Sequence, residues 1–227
     1  MRHVAQLPLV GATMLLGARR AVEALPDDGH RPIVFVHGLG GGPGNFLPMR
    51  TWFRLHGRRR GYAIAFDAGK SMAALAPELG AFVEEVARVS GLPPGGRVDL
   101  VAHSMGGLVA RMAVEAPRVA ARVATLVTLG TPHGGTHAAR YFNTERIRAL
   151  RPGSDTMTRL RAQLPWRGPP EQPRLVSFWS DADVFMLPAG TARVENAESV
   201  EVHDLTHYGY LLSPATWSRV LATLASP

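Results

Sequence analysis

The chain has 227 residues, enough for one domain to bury a core unaided, and it contains no cysteine. That absence excludes a thiol nucleophile, a disulfide framework and thiolate metal ligation. The net charge of +7 is almost all arginine, with Lys70 the single lysine. The arginines are scattered, and the densest run, Arg58-Arg59-Arg60, has no aromatic residues between them, so it reads as a solvated loop and not as a nucleic-acid site.

Residues 1–30 read as a leader. Its apolar stretch, VAQLPLVGATMLLGA, is only about a dozen residues long, too short to span a bilayer. Arg19 and Arg20 follow it with no clear A-x-A cleavage site, which favours an amphipathic or core-docked helix over a signal peptide. The compartment stays open, with the cytoplasm slightly favoured.

From residue 31 onward, strands alternate with helices. RPIVFVHG (31–38) is a short apolar run closed by glycine, the pattern of a strand buried on both faces, and GYAIAFDA (61–68) is a second. Residues 71–91 carry Leu75, Leu79, Phe82, Val83, Val86 and Val89 on one helical stripe, closed by Gly91. RVDLVA (97–102) is a third strand and leads into a helix at Ser104. RVATLVTLG (122–130), PRLVSFWS (173–180) and ESVEVH (198–203) complete six, and a last helix covers 214–225 with Pro214 in its first turn. This order predicts one α/β domain over 31–227, with a mainly parallel six-stranded sheet covered by helices on both faces. Residues 131–173, rich in Pro, Gly and Arg, are the irregular stretch, expected beyond a strand's carboxyl end as a pocket wall or cap.

AHSMGG (102–107) puts Ser104 between a predicted strand and a predicted helix, with Ala102 and Gly106 two residues to either side. A nucleophilic serine needs an exposed Oγ, and the sharp turn that exposes it admits only small neighbours at those positions. The competing reading, a buried turn whose serine caps the helix, does not require them. HGLGGGPGNF (37–46) lacks the spacing of a dinucleotide loop, and GKS at 69–71 lacks the first glycine of a Walker loop, since Ile64 stands there. The same loop instead suits an oxyanion hole, with the amide of Leu39 beside Ser104 and that of Met105 at the helix N-terminus.

An orienting carboxylate and a base are expected next, in that order. Asp181 and Asp183 both follow the fifth strand. Asp183 is preferred because Val184 to Leu187 behind it would keep it dry, and Asp181 is the fallback. His203 ends the sixth strand, whereas His207 lies in the loop beyond, free to reach the serine, and is the preferred base. His37 and His103 are expected to hydrogen-bond locally, and His133 and His137 lack a metal-site spacing. No metal or cofactor is expected.

In order, HGLGG, AHSMGG, TLGTPHGG, DADVFMLP and THYGYL resemble the α/β-hydrolase superfamily, most of all its small bacterial lipases and esterases with an A-x-S-x-G elbow. The resemblance covers about residues 31–226; only the length of 131–173 departs from a minimal lipase. It implies Ser104 as nucleophile, Asp183 as orienter, His207 as base, the Leu39 and Met105 amides as oxyanion hole, and a serine carboxylester hydrolase acting on lipid or other apolar esters. A small-molecule ester at a lipid–water interface is the partner implied, with no nucleic acid and no obligate protein. Acyl transfer or thioester hydrolysis on the same triad, and a non-catalytic binding relative, are the alternatives.

Overall fold

The computed structural model describes residues 22–67 and 69–226, so most of the leader lies outside the described residues. Six strands, β1 (Ile33–Val36), β2 (Gly61–Ala63), β3 (Val98–His103), β4 (Val123–Leu129), β5 (Arg174–Trp179) and β6 (Glu198–Glu201), form one sheet in the order β2-β1-β3-β4-β5-β6. Every pairing is parallel. The strands come where the apolar runs predict them. The largest shortfall in length is β2, which ends at Ala63; the Ile64 amide still donates to the Phe35 carbonyl at 3.1 Å, and that of Phe66 turns aside to His37 Nε2 at 3.2 Å.

Successive side chains of a strand face opposite ways, and the sheet uses both faces. Val34, Val36, Leu100 and Ala102 join Leu75, Leu79 and Val83 of α2 (Met72–Val89), Leu108 and Val109 of α3 (Met105–Ala113) and Val119 of α4 (Pro117–Arg122). Ile33, Phe35, Val101 and Val127 meet Phe53 of α1 (Leu47–Leu55) and Trp217 and Val220 of α7 (Pro214–Ala225) on the other side. Each such buried apolar side chain contributes about 1.5–3 kcal/mol. Helix α2 starts where Ser71 accepts a hydrogen bond from the Ala74 amide, and α7 starts on Pro214 behind the Ser213 cap.

Residues 131–173 are more ordered than their composition suggests. They carry a 3-10 turn (His137–Tyr141) and two short helices, α5 (Glu145–Arg148) and α6 (Asp155–Arg161), capped by Thr144 and Ser154. Met157, Leu160 and Trp166 join the core on the α2 face. Arg111 of α3, wholly buried, donates to the Leu160 carbonyl at 2.6 Å and to Gln163 Oε1 at 3.2 Å. Burial lowers its pKa to about 10, which leaves it charged at neutral pH.

The arginine run is solvated only at Arg59. Arg58 and Arg60 are 6% and 7% exposed. Arg58 donates to the Arg31 carbonyl at 3.1 Å and lies 3.5 Å from the carboxylate of Asp99, a wholly buried β3 residue that Arg31 also holds at 3.0 Å. Arg60 pairs with Asp27 at 2.9 Å. Buried carboxylates call for cations, and the chain between α1 and β2 supplies them at the end of the sheet away from the loops described next.

Candidate active site

The strand order reverses direction between β1 and β3: the chain leaves β1 toward β2 and leaves β3 toward β4. A crevice opens at such a point, outside the carboxyl ends of the strands. The register pairs Val36 with Ala102, so that two residues further on Gly38 lies against Ser104. A Cβ on Gly38 would sit 2.8 Å from the Ser104 Cβ, and one on Gly106 would sit 2.6 Å from the carbonyl oxygens of Val36 and His37. Both positions demand glycine for space alone.

Ser104 stands at the junction of β3 and α3 with φ 55° and ψ −130°, a conformation that side-chain-bearing residues rarely adopt. Its amide donates to the Leu129 carbonyl at 2.9 Å, and its own carbonyl accepts from Thr131 Oγ1 at 2.9 Å and the Gly107 amide at 3.0 Å. Bonds to its main chain on both sides hold the strained residue, and its side chain is part-buried.

Asp183 follows β5 and His207 follows β6, as expected, and both come to Ser104. His207 Nδ1 donates to Asp183 Oδ2 at 2.9 Å. Its Nε2 then offers a lone pair to the Ser104 hydroxyl, 2.9 Å away. The second carboxylate oxygen of Asp183 accepts from the Phe185 amide at 3.0 Å, and the carboxylate is wholly buried. Rings of Phe185 and Tyr208 flank the His207 imidazole at 4.9 and 5.5 Å. Burial, reinforced by the Asp183 carboxylate, pushes the phenols of Tyr208 and Tyr210 upward, so both remain neutral beside it.

The two alternatives in the sequence are not brought in. Asp181 and His203 are exposed, and with Glu201 they place one ligand atom each within 4.8 Å of one another on the surface. Three other residues shape the site without having been given a part in it by the sequence. His103, expected to bond locally, instead donates from Nε2 to the carbonyl of His207 at 2.8 Å, and burial drives its pKa down to about 3, so it is neutral. Gly130, at φ 54°, leaves room for Asp183 Oδ2 and the Tyr210 ring, which an added Cβ would meet at 3.0 and 2.7 Å. Thr131 anchors the carbonyl of Ser104. All three lie within the quoted stretches AHSMGG and TLGTPHGG, which marked the segments but not these contacts.

Leu39 lies in the loop after β1, which Gly40 turns at φ 67° and the Asn45 side chain clasps by accepting from the Gly42 amide at 2.7 Å. Met105 is the first residue of α3, so its N–H has no acceptor within the helix. Gly38, Leu39, Ser104, His207, Tyr208 and Leu211 surround a cavity of about 20 Å³. On the other side of Leu39 a cleft of about 280 Å³ is walled by Lys70, Ser71 and Thr144 to Ile147. A larger groove, about 530 Å³, lies apart from all of these at Trp179 and Arg193.

Residues 69–147 match the family model of the PGAP1-like alpha/beta domain. Over 150 residues the chain is 29% identical to a triacylglycerol lipase of Burkholderia plantarii, covering 61% of this chain and 40% of that one. Over 118 residues it is 36% identical to the probable esterase PIR7A of Oryza sativa subsp. indica, covering 49% of this chain and 43% of that one. It therefore spans less than half the length of either relative. Among solved structures it is similar to the mature form of Bacillus licheniformis lipase BlEst2, with a TM-score of 0.76 at 20% identity, over 89% of this chain and 95% of that one. Aspergillus fumigatus lipase B gives a TM-score of 0.70 at 13% identity, over 92% of this chain and 56% of that one.

The chain has the α/β-hydrolase fold. Within that fold, two of its sequence relatives are a triacylglycerol lipase and a probable esterase.

Proposed function

We propose that this chain is a serine-dependent carboxylic ester hydrolase acting on lipid or other apolar esters. His207 takes the Ser104 hydroxyl proton as Oγ attacks the ester carbonyl. The amides of Leu39 and Met105 receive the charge that forms on the carbonyl oxygen. Asp183 holds His207 in the tautomer with Nδ1–H and stabilises the imidazolium it becomes. That imidazolium returns the proton to the departing alkoxide, leaving an acyl group on Ser104. Water, deprotonated by the same imidazole, then releases the acid. Thr144 to Ile147, which wall the cleft beyond Leu39, would line the path of the substrate.

The observation that carries this reading is the unbroken hydrogen-bond chain from Ser104 Oγ through His207 to the buried Asp183 carboxylate, both links at 2.9 Å. The likeness to lipases and esterases supports the choice of ester over other acyl compounds. The test is covalent labelling by a fluorophosphonate together with hydrolysis of a p-nitrophenyl ester series of rising acyl length. Ser104→Ala should abolish labelling and cut turnover by roughly a million-fold. A mutant keeping a tenth of wild-type turnover would remove Ser104 from the role.

A further inference from the structure

Five of the large apolar side chains that the fold leaves exposed lie in two adjoining segments, one of which reaches the site through Phe185, 4.9 Å from the His207 ring. Val184, Phe185 and Leu187 are 52%, 39% and 42% exposed, and Tyr141 and Phe142 are 67% and 55% exposed. The segments are tied together: the His137 amide donates to the Leu187 carbonyl at 2.9 Å, and Thr136 Oγ1 donates to the Phe185 carbonyl at 2.7 Å. One 3-10 turn carries the chain from His137 to Tyr141, about 8 Å at 2 Å per residue. Apolar residues gathered this way at a soluble surface mark a place where something docks.

The charge beside them indicates what docks. Arg140, Arg148 and Arg151 flank Tyr141 and Phe142 in sequence and in space. The Arg140 guanidinium lies 4.7 Å over the Tyr141 ring, and Arg151 donates to the Phe142 carbonyl at 3.0 Å. Arg148 donates to the Asn143 carbonyl at 3.0 Å. None of the three has a carboxylate partner among the described residues, so their charge stands uncompensated beside the aromatic rings. Unpaired cations fringing exposed aromatic rings match a surface whose outer layer is anionic and whose interior is apolar.

We propose that this arginine-fringed patch docks the protein onto lipid bilayers bearing anionic headgroups, with the aromatic residues entering the acyl region and the arginines meeting phosphate. The inference deepens the ester-hydrolase reading, since it sets the mouth of that site against the surface holding the substrate. Docking itself needs no catalysis, so the two can fail separately.

Flotation with vesicles of phosphatidylcholine, alone or mixed with phosphatidylglycerol, tests it. Wild-type protein binds the mixed vesicles more tightly, and added salt weakens that preference. Arg140→Gln with Arg148→Gln lowers the partition coefficient on mixed vesicles by about 25-fold, about fivefold per arginine. Tyr141→Ser with Phe142→Ser lowers it by roughly a hundredfold or more on any vesicle that binds. All variants hydrolyse a soluble short-chain p-nitrophenyl ester as wild type does, which also shows that they fold. Equal binding to the two vesicle types, no binding by wild type, or wild-type binding by the arginine variant would overturn the proposal. Ser104→Ala should float with the vesicles unchanged. If that variant still hydrolyses ester, the catalytic reading fails and the docking result stands.

Discussion

Replacing Ser104 by glycine and by alanine separates two things the residue does. Both changes remove the Oγ contact to His207 Nε2, so that loss cancels in the comparison. What differs is the Cβ, which alanine keeps at φ 55° and ψ −130° and glycine does not. A side-chain-bearing residue in so sparse a region stores about 1–3 kcal/mol. Glycine relieves it but enlarges the conformational freedom of the unfolded chain, at a cost of about 0.5–1 kcal/mol. Ser104→Gly should therefore be more stable than Ser104→Ala by about 1–2 kcal/mol. For a chain of this length each kcal/mol moves Tm by about 2–4 °C. Urea unfolding with parallel thermal melts measures the gap, and neither variant should turn over ester. If alanine matched or exceeded glycine, the elbow would hold no strain, and the exposure of Oγ would need another cause.

Asp183→Asn should lower kcat on the order of 10⁴-fold by leaving His207 in the wrong tautomer, while Asp181→Asn, at an exposed position, should change it little; ester assays that rank them the other way would make Asp181 the orienter. His103→Phe frees the His207 carbonyl and should cost about 10²-fold in kcat with KM unchanged, and His103→Gln, which can still donate, should recover most of it. Equal losses in the two, or a matching fall in Tm without any change in kcat, would reduce His103 to a packing residue. Stability should also fall in acid. His103 and His133 are buried with pKa values held below 6.5, His103 at about 3. Below the unfolded pKa of about 6.5 the unfolded chain therefore binds more protons. Stability is whole above that pH and declines beneath it, by at most about 1.4 kcal/mol per pH unit for each histidine. Asp99, raised by burial, acts in the opposite sense. Urea unfolding at a series of pH values should give a shallower slope for His133→Gln, and an unchanged slope would show that His133 does not titrate with unfolding.

The six strands and the last helix were legible because buried parallel strands are continuous apolar runs and Pro214 marks a helix start. The placement of Ser104, Asp183 and His207 in successive loops was legible for a related reason: each follows such a run. Helix α1 escaped because the glycine-rich stretch before it hides its own start, although Pro48 sits in its first turn. The arginine run misled because sequence shows charge but not the buried Asp99 and the acidic Asp27 and Asp28 that meet it from elsewhere in the chain. His103 misled likewise, since its partner lies 104 residues away. Within 131–173 the caps at Thr144 and Ser154, each followed by an acid, were readable as helix starts. The contact of α6 with Arg111 was not, because it joins residues some fifty apart.

That contact divides the 131–173 stretch into two parts with different evolutionary freedom. From Asp155 to Trp166 the chain is riveted to the helix behind the serine through a buried guanidinium, whose one further partner is His133 Nδ1 at 3.4 Å. An insertion, deletion or graft there would strand that charge in the interior, so its length should hardly vary. The outer part, from Asn143 to Arg148, has no fully buried side chain. Residues can be gained or lost in it without unseating the core, and a designer seeking to widen or narrow the entrance should cut and splice there.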